Sequence, residues 1–210
     1  MKQPGKKKAS NAAGASKSAR RRESRAKASA SSANDRALRE QLAKLLDGGM
    51  AHASWQDVVA DMPENLQGTK PEGAPHTAWQ LLEHMRIAQW DILEFSRNPK
   101  HVSPQFPDGY WPSTDAPPNA EAWEKSAKAF GRDLAEMKKL VNDPKSDLFA
   151  QIAHGDGQTI LREVLLAADH NATTWDRLCW YGNCSEHGRD RRDSHRFREE
   201  ISLHSYKDLS

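Results

Sequence analysis

TAWQLLEHMRIAQWDILEFSRN, residues 77–98, carries the periodicity on which the reading of the chain turns. Leu81, His84, Met85, Ala88, Ile92 and Phe95 recur at three- and four-residue spacing, which is one stripe of an α-helix. Thr77 offers the hydroxyl of an N-cap, and Asn98 with Pro99 ends the run. The stripe is apolar apart from one side chain, His84.

The same period appears on either side. Downstream, NAEAWEKSAKAFGRDLAEMKKLVND places Trp123, Ala127, Phe130, Leu134, Met137 and Val141 in register. Between the two helices, residues 99–118 are rich in proline and aromatics, which predicts an ordered loop packed on the body. Upstream, DRALREQLAKLLDGGMAHASWQDVVADMP carries Leu38, Leu42, Leu45 and Leu46, then Trp55, Val58, Val59 and Met62. It reads as one helix weakened or kinked at Gly48 and Gly49 and ended by Pro63. Residues 64–76 read as a loop. A fourth helix starts in GQTILREVLLAADHNA, with Ile160, Val164, Ala167 and Asn171 on one side and His170 beside them. Four helices, a long second connection and no strand signal predict an all-α four-helix bundle.

Charged residues make up 29% of the 210-residue chain and hydrophobic residues 37%, the balance of a soluble body. No stretch reaches the roughly 18 apolar residues of a membrane span, so no membrane partner is expected. The N-terminus has no apolar signal core, and two cysteines, Cys179 and Cys184, need no disulfide framework. A cytoplasmic protein is expected. The net charge of +2 conceals an asymmetry: residues 1–34 hold six Lys and four Arg against one Glu, +9, leaving −7 for the remainder. This segment has no aromatic or β-branched residue and is expected to be a disordered basic tail. Nucleic-acid binding through it stays open, but without aromatics to stack on bases a solubilising tail is the preferred reading.

The fourth helix poses a problem. An inward histidine such as His170 can share one metal with a second histidine four residues on, on the same helix face. Position 174 is Thr174, and from Trp175 to Asn183 no consistent face is evident. Residues 185–210 are mostly His, Arg, Asp, Glu and Ser. The codons suggest a cause. If each is regrouped to begin on the last base of its predecessor, Thr173 and Thr174 become NAC codons that permit Tyr-His. The Trp175–Asp176 junction becomes GGA, a forced Gly, and the Trp180–Tyr181 junction GTA, a forced Val. The shifted frame permits YHLGQIVLV, a helical string with histidine at position 174. The expectation is a one-nucleotide frameshift near codon 173. The domains are then a tail over 1–34, a bundle over 35–178 and an irregular, out-of-frame tail over 179–210, in which Cys179, Cys184, His187, His195 and His204 have no role.

HTAWQLLEHMRIAQWDIL, HGDGQTILREVLLAADHNA and the shifted continuation YHLGQ resemble the DinB-like (YfiT-related) superfamily, over roughly residues 35–172. The resemblance implies a four-helix bundle holding a divalent ion, Ni or Zn, on three histidines. The one from the second helix matches His84 and the first of the last helix matches His170. The second of that helix falls on Thr174, a departure from the pattern. Some members of the family are thiol-dependent transferases using a low-molecular-weight thiol, and others have no assigned activity. A metal-dependent hydrolase and a non-catalytic stress-response or binding protein are the other readings. Three neutral imidazoles leave a fourth coordination position open, where a metal can lower the pKa of a thiol or water. Two imidazoles bind more weakly, and Thr is a poor ligand for such metals.

His52 is a further candidate, as third ligand, supporting group or histidine bonded to a carbonyl. Asp169 is expected at the surface or in an ion pair. Glu83 points about 100° from His84 and is given no role. Asp156 could cap the fourth helix. His154 belongs to the loop before that helix, and His76 and His101 read as loop histidines. Trp79, Trp90, Tyr110, Trp111 and Trp123 read as packing, or as lining of a cleft near the metal end. The partners expected are a small-molecule substrate and a second copy of the chain in a homodimer.

Overall fold

Thr77 starts the central helix as its hydroxyl predicts. In the computed structural model, Oγ1 accepts the Gln80 backbone N–H while the Gln80 side chain accepts the Thr77 N–H, a reciprocal capping box. The structure describes residues 21, 22, 24, 32–49, 54–60 and 62–181. Among them are six helices and no strand, so the body is all-α. They are α1 (32–47), α2 (Trp55–Ala60), α3 (Glu64–Gln67), α4 (Ala78–Arg97), α5 (Ala122–Asn142) and α6 (Ile160–Tyr181). No helix is long and apolar enough to cross a membrane.

The sequence stripes become one core. Leu42 and Leu46 of α1, Val58 and Val59 of α2, Leu81, Met85 and Leu93 of α4, Phe130, Leu134 and Met137 of α5, and Val164, Ala167 and Trp175 of α6 pack together. α4 lies along both α5 and α6, which touch each other lightly. α1 is tied to the end of α5 by Arg39. Its guanidinium donates to the carbonyls of Val141, Asp143 and Ser146 at 2.6, 3.0 and 2.7 Å, binding α1 to the last turn of α5 and the turn that follows it.

Four expectations need correction. Residues 64–76 are not all loop, because Glu64–Gln67 form the single turn of α3 directly after Pro63. The first helical pattern is two helices, not one with a kink. Gly48 and Gly49 both have positive φ, +68° and +75°, which stops α1 outright. A Cβ at Gly48 would stand 2.5 Å from Trp175 Cζ3, so the turn also admits that indole. The cap of α6 is Thr159, whose Oγ1 accepts from Arg162 N–H at 3.2 Å; Asp156 instead donates its backbone N–H to Gln158 Oε1. Finally, α6 keeps a face past residue 173. Asn171, Thr174, Trp175 and Leu178 are all buried, the i, i+3, i+4, i+7 pattern of a core stripe. The helix ends at Tyr181, three residues past the expected boundary at 178, and the remainder of the 179–210 tail lies outside the described residues. So does the 1–34 tail except Arg21, Arg22, Ser24 and residues 32–34, the last three forming the start of α1.

Candidate functional site

The segment from residue 99 to 118 forms a strap along α4. Trp79 Nε1–H donates to Thr114 Oγ1 at 3.1 Å, and Thr77 Oγ1–H donates to the Asp115 carbonyl at 2.6 Å. Tyr110, in a 3₁₀ turn (Asp108–Tyr110), donates its hydroxyl to Asp91 Oδ2 at 2.6 Å. Burial and the Asp91 carboxylate push the Tyr110 phenol up to about 12. His101 Nε2 lies 2.7 Å from Asp91 Oδ1.

The strap delivers two groups to His84. The Tyr110 carbonyl is 3.0 Å from His84 Nδ1. A carbonyl only accepts, so Nδ1 carries the proton and a neutral ring keeps its lone pair on Nε2. Trp111 lies parallel to the His84 ring, 4.0 Å between centroids at 1°. His76 stacks on Trp111 too, at 3.9 Å and 18°. Two rings that close to one indole overlap unless they take opposite faces, so Trp111 is sandwiched and separates His76 from His84.

His170 arrives from α6. Its Nε2 is 3.0 Å from His84 Nε2, with the rings edge to face. His84 therefore accepts and His170 donates. Burial holds both imidazoles below the usual histidine range, and their mutual proximity lowers His170 further; Arg177 adds to the effect on each. His76 is lowered by burial and then by His84. Arg177 follows His170 by seven residues, on the same stripe. Tyr181, four further on, donates its hydroxyl to the His76 carbonyl at 2.6 Å, which closes that end of the helix over the histidines.

Two of the three expected metal candidates are thus brought together, His84 and His170; His52 lies outside the described residues. Thr174 is buried and faces inward, but its hydroxyl donates to the His170 carbonyl at 3.0 Å. Among the described residues no three His, Cys, Asp or Glu side chains form a metal-holding group. Glu83 faces away, paired with Arg86 and Ser126, as its 100° offset predicts. Asp169 is exposed, and Cys179 is half-buried on the core. His154 Nε2–H donates to the Phe95 carbonyl. The tryptophans read as packing or as lining of a cleft divide: Trp123 is core, Trp90 stands edge-on to His101, and Trp111 lies against the histidines. His76 and Asp91 were not anticipated there. The available signal for Asp91 was its spacing, seven residues from His84, which puts the two on one face of α4.

α6 also holds polar atoms with no hydrogen-bond partner among the described residues: His170 Nδ1, Asn171 Oδ1 and Trp175 Nε1. The Asn171 amide nitrogen donates to Gln89 Oε1 at 2.7 Å, and Gln89 in turn to the Phe130 carbonyl. A groove of about 660 Å³ lies between α1 and the end of α5 among Arg36, Arg39, Lys44 and Asn142, and its lining includes none of these histidines. No family model, no curated protein and no solved structure matches the chain.

Proposed function

We propose that this protein is a DinB-like four-helix bundle with a divalent-metal site reduced to two histidines, His84 and His170. The observation that carries the reading is the 3.0 Å approach of the two Nε2 atoms, with the other nitrogen of His84 already donating to the Tyr110 carbonyl. Nitrogens about 2.0–2.1 Å from one tetrahedral zinc lie about 3.3 Å apart, so the pair needs little movement to share an ion. Burial favours the neutral imidazoles that a metal requires. Nickel or zinc suits such donors. Asn171 Oδ1, buried beside His170, is an acceptor for the Nδ1 proton that ligation through Nε2 demands.

The donor set fits two of three positions. Thr174 stands where the resemblance places the third histidine, and the shifted reading frame permits histidine at that number. In the intact form, a three-histidine centre with an open position would activate a low-molecular-weight thiol for transfer to an electrophile. For the chain as written, the hydroxyl of Thr174, committed to its own helix, favours the second reading, a non-catalytic protein that binds metal weakly.

Calorimetric titration of the full chain with Zn²⁺ and Ni²⁺ tests this. A weak single site that disappears in His170→Ala is expected. Equal heats from the chain and the variant would exclude the pair as ligands. Sequencing the gene across codons 168–190 tests the frame: codons unable to spell YHLGQ after the shift remove the frameshift from the account.

A further inference from the structure

We propose that Asp91 is a positioning residue for His84, acting through Tyr110 to hold the ring and to fix which of its nitrogens carries the proton. The importance of that nitrogen rests on His84 and His170 being a ligand pair; the anchoring itself does not.

His84 and Asp91 lie seven residues apart on α4, two turns along one face. Asp91 is 8% exposed, a depth at which a carboxylate requires partners. Both partners come from the strap: His101 Nε2 at 2.7 Å on Oδ1 and Tyr110 OH at 2.6 Å on Oδ2. One carboxylate therefore pins residues 101 and 110 together against the helix. A hydroxyl donating to a carboxylate makes a bond roughly twice as strong as a neutral pair.

Tyr110 links the two α4 side chains. Its hydroxyl goes to Asp91, its carbonyl receives His84 Nδ1–H at 3.0 Å, and the next residue lies flat on the His84 ring. Holding the phenol holds the carbonyl and the indole. Released from Asp91, the carbonyl no longer selects the Nδ1–H tautomer and the indole no longer blocks rotation of the ring. A proton on His84 Nε2 would then face the Nε2–H of His170, and the lone pair between them would be lost. The strap bonds at Thr114 and Asp115 cannot substitute, because they secure its other end, at Trp79, Thr77 and Gln80.

Long-range ¹H–¹⁵N NMR correlations on the full chain, without metal, assign the His84 tautomer directly. Wild-type protein should show Nδ1–H. Tyr110→Phe deletes only the hydroxyl and keeps ring and carbonyl; Asp91→Ala deletes the anchor. Both should raise the Nε2–H population of His84, and Zn²⁺ affinity should drop by about tenfold to a hundredfold, the effect of losing an outer partner of a ligand. Thr114→Val, which cuts the strap bond to Trp79, should change neither. If both variants keep His84 as Nδ1–H with wild-type zinc affinity and lose only melting temperature, Asp91 is merely structural and the proposal is overturned. If wild-type protein binds no zinc while the tautomer still shifts, the positioning role stands and the ligand-pair reading falls.

Discussion

His84 and His170 meet at 3.0 Å from two very different settings. On the α4 side every degree of freedom of the imidazole is constrained: a carbonyl on Nδ1, an indole across its face and a strap anchored two turns away. On the α6 side the His170 ring is bonded to His84 through Nε2, while among the described residues His170 Nδ1, Asn171 Oδ1 and Trp175 Nε1 are buried without a hydrogen-bond partner. Thr174, one turn on, bonds its own helix. A ligand pre-set by outer partners is what a metal centre needs. His84 meets that description; in the proposed two-histidine reading, His170 lies on the half that lacks a third donor.

The largest effect should come from testing whether α6 beyond residue 173 belongs to the body at all. Trp175 is 1% exposed against Phe130 and the Gly48 turn. Trp175→Ala should cost about 3–5 kcal/mol in urea unfolding. An unchanged midpoint would mean that this stretch is inert, as out-of-frame sequence would be. Next, Thr174→His supplies the missing donor on the weak side. Zinc affinity should rise at least about a hundredfold, the upper end of what even an outer partner contributes; no gain would mean that position 174 does not address the His84–His170 pair.

Smaller effects follow. Thr77→Ala removes the capping box of the well-built helix and should cost about 1 kcal/mol by chemical denaturation. Acid should weaken the fold modestly. The folded histidines sit below the ordinary value of 6.5, so above it their contribution is complete. As pH falls from there toward the lowered values, the unfolded chain takes up protons first and stability is lost. Urea midpoints should decline as pH falls below about 6.5, and His170→Gln should flatten the slope; a slope unaltered by that change would assign it to other groups.

The well-built side was largely legible in the sequence and the other was not. Leu81, Met85, Ala88 and Ile92 announced α4, and Thr77 its start, because helix period and capping are local signals. The α5 stripe from Trp123 to Val141 was equally plain. The sandwich of His76, Trp111 and His84 was not, since it joins a turn, a strap and a helix through space. Nor was Asp91, whose two partners, His101 and Tyr110, come from the strap and leave no local signal on α4. In α6 the stripe of Asn171, Thr174, Trp175 and Leu178 was present all along. It was obscured by two polar members and by the indole, phenol and thiol crowded around them. Position 175 takes Trp in the written frame and Leu in the shifted one, so the helix has an apolar residue there in either.

The glycine turn at residue 48 has a consequence for synthesis. It closes on Trp175, near the far end of the described chain, so the contact between this turn and the indole cannot form until α6 has been made. Such late, long-range closure is slow and leaves apolar surface open to aggregation. A nascent chain halted before Trp175 would therefore call on chaperones, and one released there would be a substrate for proteases.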